Sequence, residues 1–152
     1  MSAVLSTAPA ARDLAIAHFA AKLSYETDVS DVHADLEAGT PGVVVVDTRS
    51  LEAWEQGHIP GAVHLPTAEI PARAAELIGP DQVVVTYCWG PGCNGSTRAA
   101  LAFARLGHPV KEMIGGYEYW VREGFPTRTP LGLRHNSVDP LTAPASGASC
   151  AC

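Results

Sequence analysis

An α/β fold with a parallel sheet covered on both faces is the class this sequence predicts, and three observations predict it. Val43 to Val46 and Gln82 to Tyr87 are apolar, β-branched runs without alternation, the pattern of strands buried on both sides. Helix-like segments with start and stop signals lie between them. The second run leads into a glycine-rich loop, Gly90 to Gly95, and then into another helical segment.

Taken in order, Met1 to Pro9 is small and featureless, and Ala10 to Leu23 reads as a helix with Leu14, Ile16, Phe19 and Leu23 on helical spacing. Ser30 is the expected cap of a second helix, with Val32 and Leu36 on its apolar stripe and Gly39 at its end. Thr40-Pro41-Gly42 is a turn before the valine strand. Ser50 to Gln56 is a short helix closed by Gly57, Ala62 to Leu65 a short strand, and Glu69 to Leu77 a helix. After the Gln82 to Tyr87 strand, Ser96 to Leu106 is a strong helix, capped by Ser96 or Thr97 and stopped by Gly107 and Pro109. Val110 to Ile114 is the last strand, Gly115-Gly116 a turn, and Tyr117 to Glu123 the closing helix. Beyond Thr129 the chain is rich in Pro, Ser, Ala and Gly, a composition that predicts little fixed structure. The expected organisation is a helical extension over 1–29, one domain over 30–129 and a flexible tail over 130–152.

The 152 residues are one domain's worth. Ten Lys and Arg stand against 16 Asp and Glu, a net charge of −6 with no basic run, which argues against nucleic acid and anionic membranes as partners. No apolar run reaches the ~20 residues that span a bilayer. Arg12, Asp13 and His18 interrupt the N-terminal alanines where a secretory core would be apolar. A soluble, cytoplasmic protein is expected. The cysteines fall in two pairs, Cys88 with Cys93 in the glycine loop and Cys150 with Cys152 at the chain end. In a reducing compartment such clusters suggest redox, sulfur or metal chemistry.

The loop after Tyr87 carries the chemistry. A thiol at the carboxyl end of a parallel strand faces loop N–H groups and the positive end of the following helix, which favour thiolate and an anion beside it. Cys88 and Cys93 are the candidate nucleophiles. Trp89, Gly90, Gly92, Asn94, Gly95, Ser96, Thr97 and Arg98 form the candidate anion-binding loop, its glycines expected to turn with positive φ and aim amides inward. Cys-x4-Cys is within zinc spacing, but two more ligands are needed, and no metal site is expected.

Three motifs in order resemble the rhodanese homology domain, over about Ser30 to Thr129. Val44-Val45-Val46-Asp47-Thr48-Arg49, with Glu52, Trp54 and Gly57-His58-Ile59-Pro60-Gly61-Ala62, resembles the family's first signature. Tyr87-Cys88 and its loop, running into Ser96-Thr97-Arg98-Ala99-Ala100, resembles the second. Gly115-Gly116 followed by Trp120 resembles the closing one. The resemblance implies an open parallel sheet of about five strands with helices on both faces. It also implies a single-domain sulfurtransferase that moves sulfur from a donor such as thiosulfate to cyanide or a thiol, through a cysteine persulfide and without a cofactor. A small sulfur-containing anion is then the donor, and a thiol or a protein the acceptor.

The loop departs from the family pattern. Aligned without gaps from Ser96 to Gly107, Gly90 falls at the cysteine position and Gly95 at that of the basic residue, so the loop is about two residues longer. Cys88 keeps the strand-end location and is preferred as the sulfur carrier. Cys93 is the resolving thiol or the alternative nucleophile. Asp47, Arg49 and His58 are supporting residues. Asp47 and Arg49 are expected to pair or to hold the Gly57 to Ala62 turn, with Arg49 at the same end of the sheet as Cys88; His58 is expected to fix that turn. Trp54 and Trp120 are expected in the core, while Trp89, Tyr117 and Tyr119 are candidates to border the site. Two other functions are open. One is a redox or sulfide sensor or a sulfur-delivery domain. The other is a phosphatase or arsenate-handling enzyme, for which the basic loop residue is missing.

Overall fold

The two valine runs stand at the centre of the sheet. In the computed structural model, which describes residues 1–144 and 146, β2 (Val43–Asp47) pairs in parallel with β4 (Val83–Tyr87), Val43 opposite Val83 and Asp47 opposite Tyr87. β3 (Val63–His64) lies outside β2; β5 (Val110–Met113) lies outside β4. The edge beyond β5 is β1 (Glu26–Thr27), a two-residue strand. The order β1-β5-β4-β2-β3 is parallel throughout, and its five strands match the number the resemblance implies.

Period-two geometry explains why these strands read as continuous apolar runs. Val45, Val85 and Tyr87 point to one face, into a core with Val29, Val32, Ile59, Met113 and Trp120. Val46 and Val84 point to the other, against Leu65, Ile70, Ala74, Ala99 and Phe103. The first face is covered by α2 (Val29–Ala38) and α6 (Gly116–Arg122), the second by α4 (Ile70–Leu77) and α5 (Gly95–Arg105).

Several local expectations change. Asp28, not Ser30, caps α2, its carboxylate accepting from the Asp31 amide; the residues just before it form β1, which carries no apolar signal. Ser50 does cap α3 (Leu51–Gln56). Ser96 and Thr97 do not cap α5, which begins at Gly95; both hydroxyls donate instead to Glu112 Oε1 on β5, at 2.7 and 2.8 Å. The N-terminal helix, α1 (Arg12–Tyr25), forms as expected but buries none of its residues.

The chain beyond Thr129 is more ordered than its composition predicts. β6 (Thr127–Thr129) and β7 (Gly132–Arg134) make an antiparallel hairpin, and His58 exchanges backbone hydrogen bonds with Arg128. Asn136 donates to the Phe125 carbonyl, and Arg122 pairs with Asp139. The Cys150 and Cys152 end lies outside the described residues. No helix among the described residues is long and apolar enough to cross a membrane.

Candidate active site

The carboxyl ends of β2 and β4 are locked together by a buried polar network. Tyr87 Oη donates to Asp47 Oδ2 at 2.6 Å and accepts from the Ile59 amide. Arg49 grips the same carboxylate through Nε and Nη2, at 2.9 and 2.7 Å, and donates to the Gly57 carbonyl. All three side chains are buried, so the bidentate geometry is what makes a buried charge tolerable. Burial and the adjacent carboxylate hold the Tyr87 phenol well above its ordinary pKa, so it stays a donor.

Arg49 also reaches the loop. Its guanidinium lies 4.5 Å from the centre of the Trp89 ring and 4.3 Å from that of Tyr117. Arg49 therefore stands at the same end of the sheet as Cys88, but beneath the aromatic wall, neutralised by Asp47. His58 is stacked on Trp54 and its Nδ1 is 2.9 Å from the Trp54 carbonyl, which fixes the turn; burial keeps its pKa below the ordinary value. Of the tryptophans expected in the core, Trp120 is buried and Trp54 half-buried.

The loop is held from behind by the start of α6. Tyr117 and Glu118 amides donate to the Cys88 and Trp89 carbonyls, at 2.9 and 2.7 Å. That approach requires Gly116, whose φ is +64°; a Cβ there would lie 2.8 Å from both Cys88 O and Gly90 N. Gly116→Ala is expected to cost about 1–2 kcal/mol for the left-handed backbone alone, before the clash. Thermal denaturation of the variant measures the loss, and its thiols should react faster with a maleimide as the loop loosens.

The loop glycines act by absence of side chain, not by positive φ. Gly90, Gly92 and Gly95 all lack positive φ. A Cβ on Gly95 would lie 2.6 Å from Cys88 Sγ and 3.4 Å from Cys93 Sγ; one on Gly90 would meet the Glu118 carboxylate. The expected ring of inward amides is correspondingly smaller. The Cys93 amide is spent on the Gly90 carbonyl, and the Gly95 amide donates to Cys93 Sγ at 3.4 Å.

The two thiols meet. Cys88 Sγ and Cys93 Sγ are 2.8 Å apart and both are free. Burial, then the hydrogen bond it gives Cys93, push the Cys88 thiol up to about 11. For Cys93, burial is the largest influence and works upward. The Cys88 S–H and the Gly95 and Trp89 amides together outweigh it, and its pKa falls below the ordinary thiol value. The pair thus gives up its first proton at Cys93, with Cys88 as the remaining donor. Cys93 also sits two residues before α5, where the helix dipole favours an anion.

Thiolate reactivity should therefore persist to lower pH than for an ordinary thiol and fade as pH drops through the depressed Cys93 value. Removing the donor in Cys88→Ala should move that acid limb to higher pH, as read from the pH dependence of iodoacetamide alkylation.

Access distinguishes the two as well. Cys93 lines two grooves, one of about 540 Å³ walled by Trp89, Tyr117, Glu118 and Arg122, and one of about 320 Å³ that includes Ser96, Glu112 and Gly116. Cys88 lines neither. Arg98 is turned outward, its Nε donating to Asn94 Oδ1, and does not line these grooves. Tyr119 packs against the core under Arg122 and lines neither groove. The groove wall from α6, Glu118 and Arg122 above all, carries no motif that the sequence alone exposes.

The family model for the rhodanese-like domain matches residues 28–123. The chain belongs to the rhodanese-like domain family. It is 40% identical over 99 residues to the HTH-type transcriptional regulator Rv0324 of Mycobacterium tuberculosis, a match covering 65% of this chain and only 42% of that protein. It is 37% identical over 95 residues to a sulfurtransferase of Allochromatium vinosum, covering 62% and 87%. Among solved structures, the BH2092 protein of Bacillus halodurans is 44% identical with a TM-score of 0.76, over 80% of this chain and 89% of that one. This rhodanese-like chain is thus similar over most of its domain to a sulfurtransferase and to less than half of a transcriptional regulator.

Proposed function

We propose that this rhodanese-like protein is a sulfurtransferase that takes sulfane sulfur from a small anionic donor such as thiosulfate and carries it as a cysteine persulfide in the loop after Tyr87. The observation that carries the reading is the Cys88–Cys93 pair. One of its thiols opens into two grooves, and its thiolate is held by a neighbouring S–H, a loop amide and a helix start. Cys88 has the strand-end position that the family resemblance favours, but the geometry supports Cys93 as the attacking thiolate and Cys88 as its proton-bearing partner. The Cys93 thiolate attacks the outer sulfur of thiosulfate, the S–S bond breaks, and sulfite leaves with the electron pair. Cyanide or a thiol, free or on a protein, then removes the sulfur. The acceptor in a cytoplasmic setting is a thiol.

A phosphatase reading lacks its central group. Clamping a phosphoryl needs a bidentate cation in the loop, and here Gly95 occupies that place, Arg98 turns away and Arg49 is committed to Asp47. A sensor that only oxidises would take up no sulfur.

The test is the reduced protein mixed with thiosulfate and excess cyanide. Sulfite and thiocyanate should form together and over many turnovers. Absence of sulfite, with a Cys88–Cys93 disulfide under air as the sole change, would leave the sensor reading in its place.

A further inference from the structure

A sulfur carrier needs one thiol, yet this loop places two in contact. Cys88 Sγ lies 2.8 Å from Cys93 Sγ, and the space between loop and helix is kept open for both by Gly95. Cys93 faces the grooves while Cys88 is 7% exposed and lines neither, so a donor arriving from solvent meets Cys93 first. A sulfur placed on Cys93 then has a second sulfur nucleophile already in contact with the inner atom of the persulfide. Thiol–disulfide chemistry proceeds by attack of that kind on a sulfur–sulfur bond.

We propose that Cys88 and Cys93 form a sulfide-releasing dithiol centre: the persulfide made on one cysteine is resolved by the other, which leaves a Cys88–Cys93 disulfide and frees hydrogen sulfide, and an external dithiol then restores the pair. This rests on the sulfur-transfer reading and adds a reductive outcome for the same sulfur.

The step balances without any further reactant. Cys93 carries the persulfide anion and Cys88 its thiol proton. A bond forms between Cys88 Sγ and Cys93 Sγ as the bond from Cys93 Sγ to the outer sulfur breaks. That sulfur leaves with the electron pair and takes the Cys88 proton, departing as HS⁻. The outer sulfur goes from −1 to −2 and gains one electron, the Cys88 sulfur goes from −2 to −1 and gives up one, and the Cys93 sulfur stays at −1. Regeneration consumes one dithiol, which supplies two electrons and two protons and becomes its own disulfide. The thiols need only close from contact to the ~2.05 Å of a disulfide bond, within one loop whose residues Trp89, Pro91 and Gly92 are exposed. Cys88 rests protonated, burial and its bond to Cys93 holding its pKa up, and so carries the proton that the departing sulfide takes.

The decisive experiment is a single loading of reduced, desalted full-length protein with thiosulfate, with neither cyanide nor thiol present. Sulfite should appear, followed by an equal amount of sulfide, with loss of both loop thiols and a Cys88–Cys93 disulfide in the peptide map. Dithiothreitol added to the same mixture should turn sulfide release into a steady reaction. Cys88→Ser should load sulfur more slowly and keep it as a stable persulfide, seen as the added mass of one sulfur, with no sulfide until dithiothreitol is supplied. Wild-type protein that releases sulfite yet holds a lasting persulfide and yields no sulfide would overturn the dithiol centre and leave sulfur transfer standing. Equal sulfide from Cys88→Ser would also overturn it. No sulfite from the wild type would remove the sulfur-transfer reading and this inference together. The ratio of sulfide to sulfite in the wild type decides the matter even if the variant does not fold.

Discussion

Cys93→Ser is expected to slow sulfite release from thiosulfate by roughly three orders of magnitude or more, in the range seen when a nucleophile is removed from other enzymes. The hydroxyl of serine does not ionise near neutral pH, and the groups that stabilise the thiolate, the Cys88 S–H and the Gly95 and Trp89 amides, cannot make up that difference. Cys88 remains in the variant but is a poor substitute, since it is buried with its pKa near 11 and opens into neither groove. The fold should be unaffected because Cys93 is part of no core cluster and its amide still reaches the Gly90 carbonyl. Stopped-flow detection of sulfite, with circular dichroism as the control for folding, measures the effect. Full activity in Cys93→Ser combined with loss in Cys88→Ser would return the carrier role to the strand-end cysteine that the sequence position favours.

That contest between two cysteines shows where the sequence was legible and where it was not. The central strands could be read because burial on both faces forces both side-chain sets to be apolar, and Val43 to Val46 and Val83 to Val85 satisfy that without exception. Glu26–Thr27 could not, because a two-residue edge strand is defined by its pairing with β5 and not by any pattern of its own. The hairpin after Pro126 was hidden in the same way. Its proline- and glycine-rich composition reads as loose chain, while what orders it is backbone pairing to His58 from a distant turn. At the site, the residue types in the loop pointed to thiol chemistry. The assignment between Cys88 and Cys93, however, depends on which one bends toward solvent and which donates. Those facts are set by the α6 start docking on the Cys88 and Trp89 carbonyls, a contact that no local spacing encodes. The value of the loop glycines is the missing Cβ at close approach, which φ preferences do not reveal.

Asp47→Asn should destabilise the chain strongly, costing about 3–5 kcal/mol, the usual cost of leaving one member of a buried ion pair without its partner. The asparagine can still accept one hydrogen bond, but it cannot neutralise Arg49, whose side chain is 1% exposed. Arg49 Nη1 already has no hydrogen-bond partner, so the guanidinium has no spare acceptor to turn to. Tyr87 loses a charged acceptor at the same time, which weakens one of the ties between the ends of β4 and β2. For a chain of this size the loss corresponds to a fall in Tm on the order of 10 °C, measurable by scanning calorimetry. Pairing the change with Arg49→Met should recover part of it, because two apolar-compatible groups then replace one unpaired charge. Recovery of stability should not bring full recovery of sulfur uptake. Arg49 also carries the Trp89 and Tyr117 rings that wall the groove beside Cys93, and a flexible methionine cannot hold those rings by cation–π attraction. A double variant that regained Tm and uptake together would show that the network supports the fold alone, and that the groove wall is kept in place by packing.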